Sequence, residues 1–75
     1  MEYKIEKTLA EISSNATTAK RLTVIAWNGY PAKLDLRIWN RYAEEDRPGK
    51  GVTLSDDEAK ALLDALTAYF GKGKK

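Results

Sequence analysis

KLDLRIWNRY, residues 33–42, is the stretch on which the fold turns. Taken alternately, Leu34, Leu36 and Ile38 form one set, and Lys33, Asp35, Arg37, Trp39 and Arg41 the other. Such alternation marks a half-buried β-strand and predicts the leucine set inward and the charged set in water. The wet set nonetheless contains a tryptophan. Upstream, Arg21–Trp27 alternates in the same way, with Leu22, Val24 and Ala26 against Arg21, Thr23, Ile25 and Trp27. Between the two runs, Asn28-Gly29 supplies the positive φ that a hairpin turn needs, and Pro31 closes off pairing. Across such a turn both indoles fall on the polar parity, with Arg21, Lys33, Arg37 and Arg41 around them.

Further out, Tyr3–Ile12 reads as a first strand and Ser13–Thr18 as a polar turn. Ala43–Gly49 reads as an exposed loop, and Lys50–Leu54 as a short fourth strand. Ser55-Asp56-Asp57-Glu58 then opens a helix: Ser55 caps it, Glu58 completes a capping box, and the acids complement the helix dipole. Ala59, Leu62, Leu63, Leu66, Tyr69 and Phe70 recur at helical spacing as one apolar stripe, and Gly71 is the expected helix end. The predicted class is α+β in the order ββββα. Residues 1–70 make a single domain, and residues 71–75 a basic disordered tail.

A chain of 75 residues buries only about 60% of its extended surface, so its core is marginal without further support. It has no cysteine to form disulfides or a thiolate zinc site. Oligomerisation is the remaining staple. The helix stripe carries more apolar surface than four short strands should cover. A two-fold homodimer is therefore expected, with Leu62, Leu63, Leu66, Tyr69 and Phe70 at its interface.

Histidine is absent too, which removes the commonest general base and metal ligand. Glu44-Glu45-Asp46 is best read as solvated loop acids, Asp56-Asp57-Glu58 is explained by the helix start, and Pro48-Gly49-Lys50-Gly51 lacks P-loop spacing. Asp35, between Lys33 and Arg37, most simply orients them through ion pairs. No catalytic constellation, metal site or cofactor is expected, and the protein is read as a non-enzyme. No apolar run approaches a membrane span and the N-terminus is too charged for a signal peptide, so the expected compartment is the cytoplasm, at the nucleoid if the partner is DNA. The sequon Asn15-Ala16-Thr17 is accordingly a chance match in a turn.

The net charge of +2 hides an uneven distribution: Lys20, Arg21, Lys33, Arg37 and Arg41 face one acid, Asp35, between positions 20 and 41. Aromatics among cations on a sheet face suit single-stranded nucleic acid. Unpaired bases stack on flat rings and phosphates are neutralised by the cations, whereas a duplex hides its base faces.

K-L-D-L-R-I-W, an acidic loop, P-G-K-G-V-T-L-S and a terminal helix together resemble the positive cofactor four family of transcriptional coactivators, and most closely its small bacterial YdbC-like members. The resemblance covers roughly residues 20–70. It implies a curved four-stranded antiparallel sheet with a C-terminal helix, paired through the helices into a two-fold dimer. It also implies binding of single-stranded DNA with little sequence preference. Trp27 matches the family's stacking aromatic and Arg37 the arginine of Asp-x-Arg. Trp39 stands where eukaryotic members carry a tyrosine, and Asn40 where they carry a tryptophan. The turn 28–31 has none of the lysines often found there. The expected nucleic-acid-binding set is Lys20, Arg21, Trp27, Lys33, Arg37, Trp39, Arg41 and Lys50. The expected partner is single-stranded DNA in transcription, replication or repair, with single-stranded RNA left open. The rival expectation is a coactivator-like protein-interaction module that docks a polypeptide on a Trp27/Ile25/Trp39 patch.

Overall fold

The computed structural model describes residues 2–73. It contains β1 (Tyr3–Ser14), β2 (Thr18–Trp27), β3 (Lys33–Asn40), β4 (Arg47–Leu54) and α1 (Asp56–Gly73). The strands form one antiparallel sheet in the order β1-β2-β3-β4, a meander open at both edges. The predicted ββββα architecture is the observed one.

Local chemistry explains the punctuation. Asn28 (φ 50°) and Gly29 (φ 82°) both take left-handed backbone, and the Tyr30 N–H donates to the Trp27 carbonyl at 2.8 Å. The Asn15 side chain accepts from the Thr17 and Thr18 N–H groups at 2.9 and 2.8 Å, so the sequon asparagine organises the β1–β2 turn. At the head of α1, Glu58 accepts from the Ser55 N–H at 2.8 Å and Ser55 Oγ from the Glu58 N–H at 3.1 Å, a complete capping box. β4 starts earlier than the sequence predicts and takes in Pro48, which an edge strand tolerates. Gly51 has no room for a side chain: a Cβ there would lie 2.5 Å from the Leu36 carbonyl and 2.6 Å from the Arg37 Cα. Gly71 does not end the helix, which continues to Gly73, so the expected tail begins inside α1. Its last residues, Lys74 and Lys75, lie outside the described residues.

The sheet bends sharply. Tyr3 pairs with Trp27, and Trp39 pairs with Ala19, eight residues down β2. A flat strand would separate those positions by about 26 Å, yet the Tyr3 ring lies 5.4 Å from Trp27 and 5.6 Å from Trp39 between centroids. Register shifts in β1 after Ile5, Thr8 and Glu11, and between Arg37 and Trp39 against β4, supply the local twist that such coiling needs.

The bend buries the middle of the face predicted to be wet, while the leucine face stays half-buried. The most buried side chains are Trp39 (1% exposed), Ile25, Thr23 and Asp35 (0%), all of the parity assigned above to water. This tryptophan face is the concave side, and its charges can be buried because they satisfy one another. The leucine face carries Leu22, Val24, Leu34, Leu36 and Ile38 and is covered at one end only, where α1 packs on β3 and β4. Between α1 and the sheet runs an open apolar groove of about 400 Å³, its walls including Leu9, Leu22, Leu34, Leu54, Leu62 and Leu66.

This extended shape is measurable. The Cα radius of gyration is 14.1 Å, against about 11 Å for a compact domain of this length. The accessible surface is 5844 Å², against about 4,600 Å² for a compact monomer of this mass. The helix contributes much of the difference, with Leu62, Leu63, Leu66, Tyr69 and Phe70 all exposed.

Candidate nucleic-acid interface

Asp35 and Arg37 are two apart on β3 and therefore share a face. Arg37 clamps the Asp35 carboxylate with both ends of its fork, Nε to Oδ1 at 2.9 Å and Nη2 to Oδ2 at 2.9 Å. Its Nη1 reaches across to the Gly49 carbonyl at 2.8 Å. Thr53 Oγ1 donates to Asp35 Oδ2 at 2.9 Å, and the Trp27 indole N–H points at the same oxygen from 3.4 Å. A fully buried carboxylate thus meets donors from β2, β3 and β4, which is the condition under which a buried charge is tolerated. Lys33, expected to share Asp35, is not among its partners.

The consequence is a fixed tryptophan. The Arg37 guanidinium lies 4.9 Å from the Trp27 ring centroid, a cation–π contact that Asp35 holds in place. Tyr3 braces the ring from β1. Trp27 remains half-buried, and two hollows open beside it. One, of about 260 Å³, is lined by Trp27, Asn28, Arg37 and Thr53. The other, of about 160 Å³, is lined by Ile25, Trp27, Tyr30, Pro31, Lys33 and Thr53.

Trp39 behaves differently. It is packed edge-on against Tyr3 inside the concave face and cannot present a ring to a base. Its indole N–H and the Thr23 hydroxyl are buried without a hydrogen-bond partner. The Trp27/Ile25/Trp39 patch proposed for a polypeptide is no surface patch either, since Ile25 and Trp39 are both buried. The physical reason is the bend, which turns this face inward.

The remaining cations divide between structure and solvent. Arg21, on the same face as Arg37, pairs with Asp46 at 2.9 Å and with Glu11 at 3.2 Å. Burial alone would lower its pKa; the hydrogen bonds and charges of Asp46 and Glu11 outweigh that and raise it, so Arg21 stays a cation tying loop 41–46 and β1 to β2. Asp46 is therefore half-buried in an ion pair rather than a solvated loop acid. The Arg41 Nε donates to the Asn15 carbonyl at 3.1 Å, joining two loops. Lys33 is exposed beside Trp27. Lys20 and Lys50 are exposed on the leucine face, where with Leu36, Ile38 and Val52 they rim an open hollow of about 260 Å³. The eight residues expected to bind nucleic acid thus form no single surface: Trp27, Lys33 and Arg37 gather at one end of the concave face, and Lys20 and Lys50 lie behind them.

Among the described residues no cluster of three or more acids could hold a metal, and no helix is long and apolar enough to cross a membrane. Tyr3, Thr53 and the Gly49 carbonyl were not singled out from the sequence. They come from three other positions in the sheet and carry no local signal.

Comparison with known proteins adds two findings. The sequence profile of the family described as Transcriptional Coactivator p15 (PC4) matches residues 14–65, from the end of β1 to the middle of α1. The chain is also similar to an uncharacterized protein of Treponema pallidum (strain Nichols), 34% identical over 67 residues that span 88% of this chain and 76% of that protein.

Proposed function

This chain belongs to the Transcriptional Coactivator p15 (PC4) family, and from that premise we propose that it is a homodimeric, sequence-tolerant single-stranded DNA-binding protein acting in transcription. Bases stack on Trp27, and phosphates are neutralised by Lys33 beside it. The observation that carries the reading is the state of Trp27: a large ring, partly open to solvent, held by Arg37, Tyr3 and Asp35 next to an exposed lysine. A ring held this way loses little conformational freedom when a base arrives, so stacking energy goes into affinity.

The dimer rests on separate grounds. The surface in excess of a compact monomer is about 1,200 Å², within the range that one partner of an obligate dimer hides. The apolar groove beside α1 and the exposed stripe from Leu62 to Phe70 are where that excess lies.

The test is a fluorescence titration with oligothymidylate and with duplex DNA of equal length at two salt concentrations. Single strands should quench Trp27 and bind more tightly than duplex, with affinity falling as salt rises because phosphate contacts release counterions. Trp27→Ala should weaken binding by about 1–3 kcal/mol. Equal affinity for duplex, or binding indifferent to salt, would overturn the reading. An oligouridylate arm decides between DNA and RNA.

A further inference from the structure

We propose, resting on the reading above, that the hollow of about 160 Å³ beside Trp27 is a pocket for one unpaired base, with Tyr30 as its second aromatic wall. Tyr30 is 71% exposed, and nothing in the packing of the chain explains an aromatic ring at that position. The turn that carries it is firmly held. The Asn28 N–H donates to the Glu2 carbonyl at 2.8 Å, the Glu2 N–H to Asn28 Oδ1 at 3.0 Å, and the Tyr30 N–H to the Trp27 carbonyl at 2.8 Å. Pro31 then fixes φ and offers no N–H, so pairing between β2 and β3 starts only at Ile25 and Lys33. Beyond these points Ala26 and Trp27 pair with β1 but not with β3, and the hollow lies beside this stretch.

Its walls select the occupant. Trp27 and Tyr30 offer flat π surfaces, and buried Ile25 provides an apolar floor. Thr53 gives its proton to Asp35, so its oxygen keeps lone pairs for an N–H of the base. Lys33 at the rim suits a phosphate of the same nucleotide. A cavity of about 150 Å³ holds one six-membered ring, so the volume matches a pyrimidine. An apolar peptide side chain would leave Lys33 and the Thr53 oxygen without a role.

The experiment compares the wild-type chain with Tyr30→Ala, Tyr30→Phe and Trp27→Ala, using a twelve-residue oligothymidylate as the probe. Tyr30→Ala should weaken binding by about fivefold or more, the lower end of the range for one lost base stack. Its salt dependence and melting temperature should be those of the wild type, because no phosphate contact and no buried surface is removed. Tyr30→Phe should bind as the wild type does. Loss of less than about threefold in Tyr30→Ala while Trp27→Ala is impaired overturns the pocket and leaves the proposed function standing. Failure of Tyr30→Phe to bind like wild type overturns the stacking role of the ring. A wild-type chain that does not bind the oligonucleotide removes the function and the pocket together.

Discussion

Trp39→Ala separates a core tryptophan from a binding one. The side chain is 1% exposed, lies against the Tyr3 ring at 5.6 Å, and pairs across β2 with Ala19, whose small size leaves room for it. Truncating a buried tryptophan to alanine costs about 3–5 kcal/mol. A domain of this length has about 4–11 kcal/mol in all, so the variant should lose a large part of its stability. One feature pulls the other way. The indole N–H is buried without an acceptor, and removing an unsatisfied donor recovers part of a desolvation penalty of about 1–3 kcal/mol. Trp39→Phe, which keeps an aromatic edge for Tyr3 and drops that donor, should therefore be much milder than Trp39→Ala. The assay is urea denaturation followed by circular dichroism at one fixed protein concentration, since association shifts apparent stability. Affinity per folded molecule for oligothymidylate should change little in either variant. A Trp39→Ala protein less than about 1 kcal/mol destabilised but unable to bind would refute the reasoning, because it would make Trp39 a surface platform.

Two other perturbations test the remaining joints. Leu66→Glu places a charge in the groove face of α1, so sedimentation should show a dimer for the wild type and a monomer or an unfolded chain for the variant; a wild-type monomer at micromolar concentration would end the dimer proposal. Asp35→Asn leaves the Arg37 guanidinium without its counter-charge and should destabilise by about 3–5 kcal/mol, as breaking one side of a buried pair does; a melting temperature equal to wild type would show that the pair is not the hub described.

The parts of the fold written locally could be read from the sequence. Alternation in 21–27 and 33–42, the Asn28-Gly29 turn and the Ser55–Glu58 box each depend on residues a few positions apart; the turn and the box are found where predicted, while β2 starts earlier, at Thr18, and β3 ends at Asn40. Which face is dry could not be read this way. Alternation says that Leu34, Leu36 and Ile38 share a side, but a sheet has two sides, and curvature decides which one closes. That curvature comes from register shifts between β1 and β2 and between β3 and β4, set by long-range pairing. Charge misled for a related reason: Asp35 and Arg37 look hydrophilic singly and are neutral as a pair. Gly71 misled at the other end, since a glycine permits a helix end without compelling one, and α1 runs on to Gly73.

The candidate site was half legible. Asp-x-Arg on one strand places both side chains on one face, and Trp27 follows from the hairpin parity. The partners that give the pair its purpose were hidden, because Thr53 and Gly49 meet it, and Tyr3 meets Trp27, only through the folded register. Their arrangement also explains why a charged network sits in so small a core. Replacing the Asp35–Arg37 pair by apolar groups of similar volume would be neutral or stabilising in many proteins, so stability alone is a poor reason for it. Positioning is a better one. Arg37, held by the carboxylate, lies over Trp27 while the ring stays partly open to solvent, and a fixed ring is ready for a base. The fold accepts a buried charge so that one tryptophan stands still at its edge.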